Sequence, residues 1–179
     1  ATYRRDIHQL HIDYQVKNTG TADMYFSIGA HPAFNAPLNK GEARSDYELR
    51  FSAAETASRY LLNDRGLYTG EEEVVLNSSD ILPLADDLFD RDALVFRNLQ
   101  SDSITLAHNK GRKELAVHFK NFPYMGIWSK GRQSPFVCIE PWFGLADHTR
   151  HNQQLQEKEG IIKLEALEKF TCTHSIEVF

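Results

Sequence analysis

Cysteine is scarce in this chain: Cys138 and Cys172 are the only two, and they lie far apart in the sequence. That count excludes a disulfide framework, and no CxxC or HxxxH pair offers zinc-ligand spacing, so no metal is expected. Both cysteines sit in apolar, strand-like stretches and read as small core residues. Positive charge is also short. Twenty Lys and Arg against 25 Asp and Glu leave a formal charge of −5, which provides no basic face for tracking a phosphate backbone. No apolar run approaches the roughly 20 residues that cross a bilayer. Helical periodicity is thin, and Gln153–Glu159 is polar without an apolar stripe, so it reads as a loop or a single turn. A GxSxG elbow, a P-loop and a GxGxxG turn are all missing. What these absences leave is a small-molecule partner rather than nucleic acid or membrane.

What is present is alternation with a period of two. Leu10, Ile12, Tyr14 and Val16 point one way, and His11, Asp13, Gln15 and Lys17 the other, as in a half-buried strand. Asn18-Thr19-Gly20 supplies turn chemistry before Met24, Phe26 and Ile28 resume the pattern, which predicts a hairpin. Further strands are expected at Tyr47–Phe51, Leu94–Phe96, Ile104–Leu106, Leu115–Phe119, Gly126–Trp128, Phe136–Glu140 and Lys169–Val178. Asn35–Ser45 and Gly66–Asp92, the latter with its Glu71-Glu72-Glu73 run, read as long loops. With 41% hydrophobic and 11% aromatic residues in 179, the chain suits one all-β domain over residues 1–179. It begins with Ala1 and almost at once enters a strand pattern, which points to a start inside a longer protein.

Two segments carry chemistry. In Ser27-Ile28-Gly29-Ala30-His31-Pro32-Ala33-Phe34-Asn35, an apolar strand ends in two small residues and a histidine fixed before proline. Proline holds His31 extended and removes the next backbone donor, so the strand should stop pairing there and present the imidazole at a sheet edge. Gly29 and Ala30 leave space for a ligand; a satisfied strand-end histidine is the plainer alternative. In Phe136-Val137-Cys138-Ile139-Glu140-Pro141-Trp142-Phe143-Gly144-Leu145-Ala146-Asp147-His148, a strand buried on both faces ends in a carboxylate, then proline and two aromatics. Desolvation would raise the pKa of Glu140, and nearby donors would lower it. Trp142 and Phe143 could give a flat apolar surface for a pyranose, or simply pack. Together the segments supply an imidazole and a carboxylate, which suits proton transfer near neutral pH.

Gly29-Ala30-His31-Pro32-Ala33-Phe34-Asn35 and Cys138-Ile139-Glu140-Pro141-Trp142-Phe143-Gly144-Leu145-Ala146-Asp147 resemble two recurring segments of the aldose 1-epimerase family, in its bacterial mutarotase-like branch. Tyr14–Gly20, Gly126–Ser129 and Glu157–Ile161 agree as well, so the resemblance runs from about Leu10 to Val178. It implies the C-terminal portion of a large antiparallel β-sandwich, the galactose mutarotase-like supersandwich, with an open sugar site and no cofactor. It also implies that His31 gives a proton to the ring oxygen and that Glu140 takes one from the anomeric hydroxyl, so that the ring opens, turns and recloses. Asp92, with Asp86, Asp87 and Asp90 as neighbours, best matches a family aspartate that binds sugar hydroxyls. Trp142, Phe34 and Asp147 lie in the two motifs and are further candidates for sugar contact, Asp147 equally for a loop hydrogen bond.

One departure stands out. The family's "HG.aR"-like segment, with a further sugar-binding arginine and histidine, has no counterpart here, which fits either a piece of a longer protein or a truncated relative. The expected activity is a cytoplasmic hexose mutarotase, monomeric or homodimeric, acting on a free aldose. The alternatives are a phosphosugar epimerase, which would need a phosphate clamp from residues such as Arg112, Arg132 or Arg150, and a non-catalytic sugar-binding module.

Overall fold

A strand that buries one face must still pair both of its edges, because buried backbone donors and acceptors without partners are costly. A computed structural model describes residues 1–179 and resolves this requirement with fourteen strands. In chain order they are β1 (Thr2–Arg5), β2 (Gln9–Lys17), β3 (Met24–Phe26), β4 (Ile28–Gly29), β5 (Ala33–Asn35), β6 (Tyr47–Leu62), β7 (Tyr68–Pro83), β8 (Leu94–Arg97), β9 (Ser103–His108), β10 (Lys113–His118), β11 (Tyr124–Trp128), β12 (Phe136–Phe143), β13 (Ile162–Leu164) and β14 (Lys169–Val178). The helical pieces are two single 3-10 turns, Arg44–Asp46 and Leu155–Glu157. No helix is long and apolar enough to cross a membrane.

Seven strands form one sheet in the order β1-β2-β14-β10-β9-β6-β7, and five form a second, β4-β12-β11-β8 with β5 also paired to β12. The pairings within both are antiparallel. Leu49, Phe51, Ile104, Leu106 and Val117 of the larger sheet share one buried cluster with Phe96, Met125, Ile127, Val137 and Ile139 of the smaller. Two inner faces interdigitating over one core make the expected antiparallel β-sandwich. The outer face of the five-stranded sheet is left to carry the site.

Three expectations are corrected. Met24–Phe26 does not form a hairpin with β2; it pairs with β13, while β2 lies between β1 and β14. Gly66–Asp92 is not a long loop, since most of it is the sixteen-residue edge strand β7. Its register against β6 shifts repeatedly, so the period-two signal is broken and the acidic run falls on an exposed stretch. The third concerns proline: β12 does not end at Glu140 but runs through Pro141 to Phe143.

Candidate active site

Strand register brings the two chemical segments together. Trp142 pairs with Gly29 and Cys138 with Ala33, so on the same antiparallel count His31 falls opposite Glu140. Two backbone hydrogen bonds hold this stretch in line: Ala30 N–H donates to Pro141 O at 3.0 Å, and Ile139 N–H donates to Pro32 O at 3.3 Å. On its other side Glu140 pairs with Gly126, which pairs with Val95. Cross-strand partners point to the same face, so His31, Glu140, Gly126 and Val95 make one row. Gly29, Trp142, Tyr124 and Arg97 make the next.

Pro141 has no N–H to return to Ala30, and a proline inside a sheet ordinarily leaves that acceptor unmet. Here the indole of Trp142 supplies the donor: its Nε1–H bonds to Ala30 O at 3.0 Å. The ring therefore lies flat across neighbouring strands. A Cβ placed on Gly29 would come within 2.5 Å of indole Cδ1, and one on Gly126 within 2.5 Å of Cη2. The two glycines are thus the bed on which the indole rests. A pocket of about 370 Å³ opens beside it, with Gly29, Ala30, His31, Trp142, Leu145 and Ala146 in its wall.

The acid–base candidates differ sharply in exposure. The Glu140 side chain is 2% exposed, whereas that of His31 is 62% exposed, and His31 Nδ1 lies 3.4 Å from Glu140 Oε1. The imidazole thus stands at the pocket with the carboxylate behind it. Burial pushes the Glu140 carboxyl up to about 7, because the charged form loses water without gaining close donors. Trp128 meets His31 edge-on with ring centres 6.0 Å apart and helps set the imidazole plane.

The other candidates are dispersed. Phe34 pairs with Val137 and packs against the shared core, on the face opposite the pocket. Phe143 also turns to that side, against Phe122 and Phe170. Asp147 follows the pocket residues Leu145 and Ala146, and its Oδ1 lies 3.0 Å from His151 Nδ1, in a close contact rather than an aligned hydrogen bond. Asp92 is exposed at the turn before β8 and lines a separate groove with Asn63, Asp64 and Arg91. Arg112 and Arg132 already face carboxylates, Glu42 and Glu114 for the first and Asp90 for the second. Cys138 is buried, yet on the Glu140 face rather than in the shared core.

Sequence reasoning missed the far wall of this face. Arg97 lies 3.8 Å over the Tyr60 ring and 3.1 Å from Glu159. Trp142, Leu145 and Ala146 also border a second, apolar cavity with Tyr60 and Tyr68. A lone arginine at a strand end gives no signal, and Tyr60 and Tyr68 reach it only through the irregular β6–β7 pairing.

Residues 1–159 match the family described as Aldose 1-epimerase. The chain is 36% identical over 169 residues to Protein LacX, chromosomal, of Lactococcus lactis subsp. lactis, an alignment covering 93% of this chain and 56% of that protein. The plasmid-encoded LacX of the same organism matches with the same figures. The chain thus spans a little over half the length of these curated relatives. Among solved structures, a galactose mutarotase related enzyme from Lactobacillus acidophilus superposes with a TM-score of 0.90 at 29% identity, covering 99% of this chain and 59% of that one. A galactose mutarotase-like protein from Lactobacillus casei superposes with a TM-score of 0.88 at 27% identity, covering 99% and 61% respectively.

Proposed function

Because this chain belongs to the aldose 1-epimerase family, we propose that it carries the acid–base pair of a hexose mutarotase, with His31 and Glu140 as the proton-transferring groups. The observation that carries this reading is the register that sets His31 opposite Glu140, 3.4 Å apart, beside the flat Trp142 indole.

The reaction needs one proton removed and one delivered. Glu140, as carboxylate, takes the proton of the anomeric hydroxyl while protonated His31 gives its proton to the ring oxygen. The bond from C1 to the ring oxygen breaks, leaving a C1 carbonyl and a hydroxyl on the former ring oxygen. Rotation about C1–C2 presents the other carbonyl face; the same two protons then return and the ring closes as the opposite anomer. No net proton or electron is exchanged. A carboxyl that titrates near 7 is suited to both directions, since neither protonation state is strongly favoured. Each positioned acid or base contributes about two to four orders of magnitude in rate.

Glu140 is reached by way of His31. The exposed imidazole is held by one 3.4 Å contact and an edge-on aromatic neighbour, so a sugar seated on Trp142 can turn it outward and meet the carboxylate. Polarimetry of freshly dissolved α-D-glucose and α-D-galactose, using the full-length product of the gene encoding this chain, tests the reading. Faster approach to anomeric equilibrium than in buffer is expected. A folded sample that accelerates neither sugar counts against it.

A further inference from the structure

The face that carries the acid–base pair holds a third donor that the proton shuttle does not use. Cys138 and Glu140 are two residues apart on β12 and therefore point the same way, with His31 across from Glu140. The imidazole nitrogen, the thiol sulfur and the carboxylate oxygen of these residues all lie within 4.8 Å of one another. We propose that His31, Cys138 and Glu140 together form a binding site for a borderline-soft divalent cation of the zinc type.

Three lines of geometry and chemistry support the site. A tetrahedral zinc with nitrogen and oxygen ligands at about 2.0–2.1 Å sets those two ligand atoms about 3.3 Å apart. His31 Nδ1 and Glu140 Oε1 already stand 3.4 Å apart, so this edge of the tetrahedron needs almost no adjustment. The sulfur, within 4.8 Å of the other two donors, must close to the roughly 3.5 Å from them that a zinc–sulfur bond of about 2.3 Å implies. The donor set also discriminates: one nitrogen, one sulfur and one oxygen suit zinc or cobalt, whereas magnesium and calcium demand oxygen ligands throughout. Finally, access and charge agree. His31 is the exposed member and opens to the pocket, leaving the fourth position for water. On binding, the Cys138 S–H bond breaks, its proton leaves to solvent, and the sulfur–metal bond forms. The dication then offsets the charges of a thiolate and a carboxylate that would otherwise be buried side by side.

Occupation would engage His31 and Glu140 and so exclude the sugar, a consequence that rests on the mutarotase reading. The metal site itself does not. Cobalt(II) added to the reduced, chelator-treated protein is the test, read by absorption. One equivalent should produce a sulfur-to-cobalt charge-transfer band in the near ultraviolet, and zinc should displace it while magnesium does not. Cys138→Ser should remove the band, and His31→Ala, at an exposed position that does not challenge folding, should weaken cobalt binding at least about tenfold. No band, a band that survives Cys138→Ser, or equal displacement by magnesium would overturn the proposal. Adding galactose separates the two readings. Loss of cobalt as sugar rises supports both; a band indifferent to saturating sugar supports the metal site and overturns the shared sugar site.

Discussion

Trp142 gives its indole N–H to the carbonyl of Ala30 at 3.0 Å, filling the place of the donor that Pro141 lacks. The proline that seems to end a strand instead recruits the next side chain into the hydrogen-bond ladder. The indole is thereby laid flat over Gly29 and Gly126, beside His31 and Glu140.

If that bed matters, Gly126→Ala should tilt the ring, because the added Cβ would stand 2.5 Å from indole Cη2. Overpacking of this kind costs about 1–3 kcal/mol. The expected result is a lower urea midpoint and a higher KM, with a smaller change in kcat, read by denaturation and anomer-exchange kinetics. An unchanged KM would show that the indole plane does not seat the sugar.

The fold class was legible because alternation survives in β2, β14 and the short central strands. The site was half legible. Motif residues His31, Glu140 and Trp142 come together because the second segment is β12 itself and the first pairs with it through β4 and β5. Phe34 misled because one residue of shift along a strand turns a side chain to the other face. β7 was unreadable for a different reason: as a bulged edge strand it satisfies only one sheet face and one neighbour. Pro141 misled as well, because its missing donor is replaced by a side chain that no local pattern announces.

Glu140 should also weaken the fold as pH rises. Its carboxyl is raised from 4.5 to about 7 in the native state, so the native protein binds more protons than the unfolded chain between those values. The contribution is fully present below about 4.5 and is lost as pH rises through 7. Glu140→Gln should therefore gain stability relative to the parent between pH 5 and pH 8, by up to about 3 kcal/mol. Urea titrations at both pH values, with chelator present, check this; a constant difference between parent and variant would contradict it.

His174 acts at the acid end. It is buried, stacked on Tyr14 with ring centres 5.6 Å apart, and its Nδ1 lacks a partner. Burial lowers its pKa below the usual 6.5, so the unfolded chain binds the extra proton first. Stability from this group is present above about 6.5 and falls as pH drops below that value. His174→Phe, which keeps a ring between Tyr14 and Phe122, should flatten this acid-side loss. Equal slopes of stability against pH in parent and variant would count against it.

The same buried carboxyl sets the expected pH–rate profile. If Glu140 acts as the base, anomer exchange with metal chelated should rise through about pH 7 as the carboxylate forms. A rate that is level from pH 5 to pH 8 would separate the chemistry from this group.

The most direct measurement is magnetisation-transfer NMR of α- and β-galactose anomers in the presence of the parent protein and of Glu140→Gln. The amide keeps the size of the side chain and removes its capacity to accept the anomeric proton. The account predicts exchange above the buffer rate with the parent, and a loss of at least about a hundredfold in the variant with sugar binding retained. Exchange in Glu140→Gln within a few-fold of the parent would contradict it.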